Sequence, residues 1–396
     1  MNGNDIVIVS ATRTAIGKFG GQFATTSAIE LGTTVAKAAI QKANLSPEQI
    51  DTVIFGNVLQ AGLGQNPARQ VGLGAGLSHA STAVTINEVC GSGLKAIISA
   101  AQAIRLGDAK IVLAGGMENM SLAPHLLQQR FAPKNGPVTL VDSLFNDGLT
   151  DAYSQDAMGV TAENIVEKYG FTREEQDAFA VASQQKAAKA QAEGRFASEI
   201  TPVAVFNRKT KSDDLKVTDE FIRPNTNLES LAGLKPSFKK DGTVTAGNAS
   251  GINDGAACVI MTTREYATEL GLPILATLKG YAEAGVDPSI MGIGPVPAIQ
   301  KLVARTRIPL EKVDVFELNE AFAAQSMAVI KDLKIPTEKV NPFGGAIALG
   351  HPIGASGTRI VVTLINALDQ LDGKIGVASL CVGGGMGVAI AIEREK

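Results

Sequence analysis

TAVTINEVCGSGLKAIISAA, residues 82–101, contains a change of periodicity that decides how the fold is interpreted. Its first part alternates apolar and polar residues, which is typical of a strand. Its second part places apolar residues at helical spacing, at Leu94, Ile97, Ile98 and Ala101. A sharp turn must lie between the two parts, and Cys90 stands on that turn.

Cys90 has a position that favours chemistry. A thiol there lies beside the unpaired N–H groups and the positive dipole end of a helix, which favour the thiolate. Gly91 and Gly93 carry no Cβ, so we expect a substrate carbonyl to approach the backbone closely. The alternative is a buried cysteine that packs as a small hydrophobic residue, as most cysteines do. The position on the turn favours a nucleophile.

Composition limits the class of protein. The chain has 396 residues, 45% hydrophobic and 19% charged, which predicts two or three tightly packed α/β domains. A net charge of −3 argues against nucleic-acid binding, and three cysteines in so long a chain indicate a reducing compartment. Neither CxxC nor HExxH spacing occurs, so no metal is expected. No signal peptide or transmembrane run is visible, so we expect a cytoplasmic protein that does not bind membranes.

The order of predicted elements is that of an α/β protein. Residues 5–10 and 51–55 have the pattern of buried strands, and residues 28–43 form an amphipathic pattern between them. A further strand is predicted at residues 110–114, ending at the glycines 115–116.

The last third of the chain repeats the first. Residues 45–51 (LSPEQID) align with residues 308–314 (IPLEKVD), 263 positions later. Residues 108–111 (DAKI) align with residues 372–375 (DGKI), 264 positions later. Because the two offsets agree to one residue, the chain contains a duplication.

The duplication predicts how two similar halves meet. The same register places Gly354 opposite Cys90, and a helix after Gly357 opposite the helix that follows Cys90. Packing of the halves about a pseudo-twofold axis brings these loops together. We therefore expect a catalytic site to which both halves contribute.

A segment of different character separates the halves. Residues 173–193 have a helical composition, whereas residues 206–240 are polar and are predicted to be irregular. Residues 201–240 carry eight Lys and Arg against five Asp and Glu. This excess is either an ordinary solvated face or a lid over a phosphate-bearing ligand.

His351 and Cys381 are the next candidates for chemistry. His351 precedes a proline in a glycine-rich loop, where it is either a structural hydrogen-bonding residue or a base for Cys90. Cys381 ends a predicted strand at residues 375–380 and precedes three glycines, whose N–H groups either bind an oxyanion or only form a tight turn.

Two other residues have simpler interpretations. Asn319 follows a predicted strand at residues 313–316 and is either a site residue or a helix cap, and Cys258 lies in an apolar run that predicts a core position. The pattern GxGxxA at residues 91–96 also matches a nicotinamide-binding turn. That match is weak because no acidic residue ends the next predicted strand.

Taken together, six motifs resemble those of the thiolases, in order and over nearly the whole chain. They are VCGSG (89–93), GGMENM (115–120), GNASG (247–251), NEAF (319–322), GHPIG (350–354) and CVGGG (381–385). The resemblance implies a five-layer α/β fold of two duplicated βαβαβαββ halves about a pseudo-twofold axis, with an inserted loop domain. The expected ranges are 1–119 with 246–271 for the N-terminal half, 120–245 for the loop domain, and 272–396 for the C-terminal half.

The resemblance also implies a role for each catalytic residue. Cys90, activated by His351, takes an acetyl group from acetyl-CoA, and Cys381 removes a proton from the methyl group of a second acetyl-CoA. The products are acetoacetyl-CoA and CoA, and the thioester is a substrate, so no cofactor is implied. One thioester oxygen is held by His351 with a water on Asn319, and the other by the N–H groups of Cys90 and Gly383.

The resemblance further implies a CoA pocket and a homotetramer built from two dimers. One position departs from the biosynthetic members of the family, which often carry histidine where this chain has Ala157. The implied substrate contacts are Arg223, Ser250, Leu149, Met158, Phe238, Ala246, Met291 and Phe322.

Three other functions are alternatives to a thiolase. A nicotinamide-dependent oxidoreductase would hold a cofactor that absorbs near-ultraviolet light, and a non-catalytic acyl-CoA binder would leave Cys90 unlabelled by an acetyl donor. A decarboxylating condensing enzyme is disfavoured because Cys381 and Asn319 stand where a different set of His or Asn residues would be expected.

Overall fold

The computed structural model describes residues 3–131 and 134–395. The ends of the predicted halves, residues 1–2 and 396, and residues 132–133 of the predicted loop domain lie outside this description. The strands are β1 (Ile6–Arg13), β2 (Gly17–Lys18), β3 (Thr52–Gly56), β4 (Thr82–Ile86), β5 (Val112–Asn119), β6 (His125–Leu126), β7 (Val141–Asp142), β8 (Val203–Asn207), β9 (Ser212–Lys216), β10 (Asn253–Thr263), β11 (Ala276–Gly285), β12 (Val315–Leu318), β13 (Ile375–Val382) and β14 (Met386–Arg394). The helices are α1 (Ala28–Lys42), α2 (Pro67–Gly74), α3 (Ser92–Leu106), α4 (Met158–Tyr169), α5 (Arg173–Ala192), α6 (Leu228–Ala232), α7 (Arg264–Glu269), α8 (Pro295–Thr306), α9 (Ala323–Leu333), α10 (Ala346–Leu349) and α11 (Ile353–Gln370).

Local sequence signals set several of these boundaries. Helix α1 begins with a capping box, in which Ser27 and Glu30 satisfy each other's backbone N–H groups. Helix α3 ends at Leu106 and is capped by Gly107, which adopts a φ of 81°. Strand β5 does not end at residues 115–116 as predicted, because it stays paired with β10 as far as Asn119.

Four strands follow the same order in each half. The order is β3-β5-β10-β1 in the N-terminal half, where β4 is a further edge strand beside β3, and β12-β13-β14-β11 in the C-terminal half. In each set the first pair is parallel and the next two pairs are antiparallel. The predicted duplication is therefore visible in the topology, and the two sets join where β1 pairs with β11.

Helices α3 and α11 form the central layer between the two sets of strands. Apolar residues of both helices share one buried cluster with strands from both halves. Helices α1 and α2 pack on the outer face of the N-terminal strands, and α8 and α9 pack on the outer face of the C-terminal strands. The result is the expected five-layer arrangement. Helix α11 begins at Ile353, earlier than the predicted start after Gly357.

The polar segment between the halves is more regular than predicted. Residues 206–240 were predicted to be irregular, yet β8 and β9 form an antiparallel hairpin that extends into this range and α6 lies further along it. The prediction was wrong because the hairpin lies at the surface, where its strands carry few apolar residues to give a periodic signal. The predicted helix at 173–193 is confirmed as α5.

Candidate active site

The turn that carries Cys90 is held by its neighbours. Strand β4 ends at Ile86 and α3 begins at Ser92, so Cys90 lies on the predicted turn. Val89 adopts a φ of 46°, which is strained for a β-branched residue. The Ser92 hydroxyl donates to the Val89 carbonyl at 2.6 Å and accepts from the Glu88 N–H at 2.9 Å. These two hydrogen bonds hold the backbone conformation of the turn that carries Cys90.

Gly91 and Gly93 serve packing within the protein instead of leaving room for a substrate. A Cβ on Gly93 would lie 2.7 Å from the backbone nitrogen of Thr358 on α11. A Cβ on Gly91 would lie 2.9 Å from the Val382 side chain. The prediction that these glycines admit a substrate carbonyl was wrong, because α11 and the end of β13 fill that space.

Burial raises the pKa of the Cys90 thiol to about 11, although the nearby N–H groups of Gly383 and of Cys90 itself lower the pKa in part. The expected effect of the helix N-terminus is therefore outweighed by desolvation, a tertiary property that the local sequence does not encode. The same two N–H groups are the pair that was expected to bind a thioester oxygen.

His351 presents one defined nitrogen as a base. The Ser356 hydroxyl donates its proton to the Pro352 carbonyl at 2.9 Å, so its oxygen accepts from His351 Nδ1, 2.6 Å away. This network assigns the remaining lone pair to Nε2. Burial, aided by the charge of Arg359, lowers the pKa of His351 to about 3, so the imidazole is neutral and its Nε2 lone pair is unprotonated, and the same burial weakens it as a base.

The Asn319 side chain lies beside the His351 ring and does not cap a helix. Its Nδ2 is 3.4 Å from His351 Nε2, and its Oδ1 is buried without a hydrogen-bond partner among the described residues. Helix α9 begins four residues later, at Ala323, after Phe322 at its N-cap. The structure therefore brings Asn319 and His351 together.

Cys381 lies near Cys90 at the end of β13. Its side chain is fully buried in an apolar cluster with Met291 and Phe322, and Met158 and Phe238 pack against that cluster. Burial raises the pKa of Cys381, and the nearby Cys90 raises it further. Cys258, by contrast, is fully buried on β10 and its thiol donates to the Val35 carbonyl at 3.1 Å, which confirms a core position.

A cavity of about 510 Å³ runs from His351 to the surface of the inserted segment. The Arg223 guanidinium lines it and lies over the Phe221 ring, 5.0 Å from the ring centroid. Ala157, at the position that departs from the family, also lines it. The other expected substrate contacts on its wall are Leu149, Met158, Phe238, Ala246, Ser250 and Phe322, and Met291 lies behind them beside Cys381.

Sequence reasoning missed the residues that support this site. Ser92 and Ser356 orient Cys90 and His351, and the Asn253 side chain accepts from the His351 N–H at 3.0 Å. Glu118 is buried behind the site and accepts hydrogen bonds from both halves. The available signal for Glu118 was an acidic residue inside the otherwise uncharged motif at residues 115–120.

Among the described helices, none has the length and apolarity needed to cross a membrane.

Comparison with known proteins defines the class. Residues 6–265 match the model "Thiolase, N-terminal domain", and residues 272–394 match "Thiolase, C-terminal domain". With the fold and site above, these matches define an acyltransferase. The chain belongs to the thiolase family.

Individual relatives and structures agree with this assignment. The chain is 56% identical to the acetyl-CoA acetyltransferase of Cupriavidus necator, over 99% of this chain and all of the relative. It is 54% identical to that of Pseudomonas aeruginosa, with the same coverage. The fold matches the crystal structure of the Bacillus anthracis acetyl-CoA acetyltransferase with a TM-score of 0.96 and 44% identity, over 99% of both chains. It matches that of human mitochondrial 3-ketoacyl-CoA thiolase with a TM-score of 0.95 and 42% identity, over the whole of both.

Proposed function

We propose that the protein is an acetyl-CoA C-acetyltransferase, which condenses two molecules of acetyl-CoA to acetoacetyl-CoA and CoA and also catalyses the reverse thiolysis. The observation that carries the proposal is a neutral His351, paired with Asn319, on the wall of a cavity that Arg223 also lines. Cys90 and Cys381 lie near each other in apolar clusters that share residues with that wall. Names of relatives at 54–56% identity support acetyl-CoA as the substrate.

The first half-reaction transfers an acetyl group to Cys90. His351 Nε2 accepts the thiol proton, because the neutral imidazole keeps its lone pair on that nitrogen. The sulfur attacks the thioester carbonyl, and the N–H groups of Cys90 and Gly383 stabilise the oxyanion. The C–S bond to CoA breaks, and the departing CoA sulfur takes the proton of Cys381, whose raised pKa keeps it protonated at rest.

The second half-reaction uses the thiolate left on Cys381. It removes a proton from the methyl group of a second acetyl-CoA, and the carbanion attacks the acetyl carbonyl on Cys90. The bond to the Cys90 sulfur breaks, acetoacetyl-CoA forms, and His351 returns its proton to Cys90. Asn319, paired with His351, supports the thioester oxygen of the second substrate, with its unpaired Oδ1 free to hold the expected water.

The acyl end of the cavity favours a short chain. Phe238 and Phe322 pack edge to face with ring centroids 6.1 Å apart, in the cluster that also encloses Cys381 and Met291. We infer from this packing that a short acyl chain fits beside Cys381 better than a long one. A broader 3-ketoacyl-CoA thiolase is the second candidate, favoured by the likeness to the human mitochondrial structure.

Thiolysis of a series of 3-ketoacyl-CoA thioesters separates the two candidates. We expect turnover of acetoacetyl-CoA and a steep fall in kcat/KM as the chain lengthens. Equal or higher kcat/KM with longer chains would identify the broader enzyme. The expected homotetramer and cytoplasmic location stay predictions, and light scattering that gives a monomer would contradict the first.

A further inference from the structure

Glu118 on β5 is completely buried, and its carboxylate accepts four hydrogen bonds. Oε1 accepts from Asn57 Nδ2 at 2.8 Å and from the Leu59 N–H at 3.1 Å. Oε2 accepts from the Val58 N–H at 3.0 Å and from the Gly354 N–H at 2.9 Å. Two donors to each oxygen match the acceptor capacity of an ionised carboxylate and oppose the effect of burial, which raises the pKa of Glu118 to about 7. A glutamine at this position would replace one oxygen by an NH₂ group, which cannot accept the two hydrogen bonds that this oxygen receives.

These bonds join the two halves of the fold at the active site. The loop 57–59 follows β3 in the N-terminal half, whereas Gly354 lies in the first turn of α11, three residues after His351. Val58, Leu59 and Ile353 form one apolar cluster, against which Cys90 packs. One carboxylate therefore ties together the loop behind Cys90 and the helix start beside His351.

Gly354 allows this approach. A Cβ on Gly354 would lie 2.6 Å from Glu118 Oε2, which is too close for any real side chain. The α11 backbone can therefore reach the carboxylate only because residue 354 is glycine. This role explains why glycine stands at residue 354, the position in the repeat that corresponds to Cys90.

We propose that Glu118 is a positioning residue, which holds the His351 loop in register with Cys90 across the two halves and so sets the rate of Cys90 acylation. It makes no hydrogen bond to the Cys90 sulfur or to the His351 ring, although its charge adds to the raised pKa of Cys90. The proposal rests on the proposed function, because acylation of Cys90 is the step that it explains. Binding of CoA depends on the cavity around Arg223, which Glu118 does not line.

The test measures acylation in each folded active site. Rapid quench with labelled acetyl-CoA gives both the number of acetyl groups bound per chain and the rate constant for acylation. We expect Glu118→Gln to slow acylation about 10²-fold, the typical cost of misplacing a reacting group by about 1 Å, with KM changed by less than about twofold. A loss confined to the number of acylated sites, at the parent rate constant, would overturn the proposal.

Glu163→Gln is the matched control. Glu163 is also buried, and it accepts from the N–H groups of Thr243 and Val244 at 2.8 Å each, within the inserted segment. It should lose stability as Glu118→Gln does, yet acylate at the parent rate. Equal slowing in both variants would reduce Glu118 to a structural role and refute the proposal.

Glu118→Asp carries the test if the glutamine variant does not fold. It keeps the charge, but its shorter side chain cannot reach Gly354 and the loop 57–59 together. Slower acylation at unchanged KM supports the proposal, and the parent rate contradicts it. Absence of acetyl-Cys90 in the parent enzyme would instead refute the proposed function, so the two failures are distinguishable.

Discussion

Gly93 and Gly357 lie on facing helices, 264 residues apart in the sequence, and each makes room for the helix of the other. A Cβ on Gly93 would meet the backbone nitrogen of Thr358, and a Cβ on Gly357 would meet that of Leu94, which is the equivalent residue in the repeat. The contact is therefore reciprocal about the pseudo-twofold axis. It brings together the first turns of α3 and α11, the helices that follow Cys90 and His351 in the sequence.

Replacement of Gly357 by alanine should destabilise the protein. The new methyl group would collide with backbone, which cannot turn aside as a side chain can, so we expect a loss of about 1–3 kcal/mol or more in the free energy of unfolding. Urea unfolding measures the loss. Gly233→Ala is the control, because a Cβ there meets nothing within 4 Å. Equal stability of the two variants would show that the helices can separate without cost.

Features encoded locally or by repetition were predictable from the sequence. The change of period at residues 82–101 located the turn of Cys90, and the duplication predicted two halves with matching topology. Features that depend on distant partners were not. Glu118 and Gly354 are 236 residues apart, and no local sequence pattern predicts their hydrogen bond.

Burial explains the wrong expectation about the Cys90 thiol. The helix start was visible in the sequence, but the desolvation that raises the pKa to about 11 comes from elements of both halves. Gly91 and Gly93 were misinterpreted for the same reason, since their neighbours Val382 and Thr358 lie in the other half.

Alkylation of Cys90 should report this raised pKa. Only the thiolate reacts, so the rate with iodoacetamide should rise about tenfold per pH unit from about pH 7 to near pH 10, below the raised pKa. His351, with its pKa lowered to about 3, stays neutral throughout and offers no imidazolium to hold a thiolate. Peptide mapping restricts the measurement to Cys90. A plateau already below about pH 7 would reveal a thiolate–imidazolium pair instead.

Arg223→Ala should weaken binding of the CoA thioester more than it slows chemistry. The guanidinium lines the cavity and carries the positive charge that a phosphate-bearing substrate needs, so we expect KM to rise about tenfold with kcat nearly unchanged. Arg208→Ala is the control, because Arg208 is exposed in the turn between β8 and β9 and does not line the cavity. An unchanged KM with a collapsed kcat would move Arg223 from binding into catalysis.

Removal of the Cys381 thiol should separate the two half-reactions. Proton transfer by a placed side chain typically contributes ~10²–10⁴-fold, so Cys381→Ala should lower condensation by about that factor or more. Acylation needs Cys90, His351 and the oxyanion donors, none of which is the Cys381 side chain, although slower protonation of departing CoA should retard it somewhat. Mass spectrometry should find the acetyl adduct on the Cys90 peptide.

Cys258 provides the matched control for Cys381, because its side chain is equally buried but its thiol donates a hydrogen bond to the Val35 carbonyl in the core. Cys258→Ala should keep both half-reactions. Exchange of solvent deuterium into the acetyl methyl group should vanish in Cys381→Ala and persist in Cys258→Ala, since only Cys381 is expected to remove that proton. If exchange continues at the parent rate without Cys381, a different base forms the carbanion and the assigned role is wrong. An adduct found mainly on Cys258 in the parent enzyme would equally contradict the assignment of Cys90 as nucleophile.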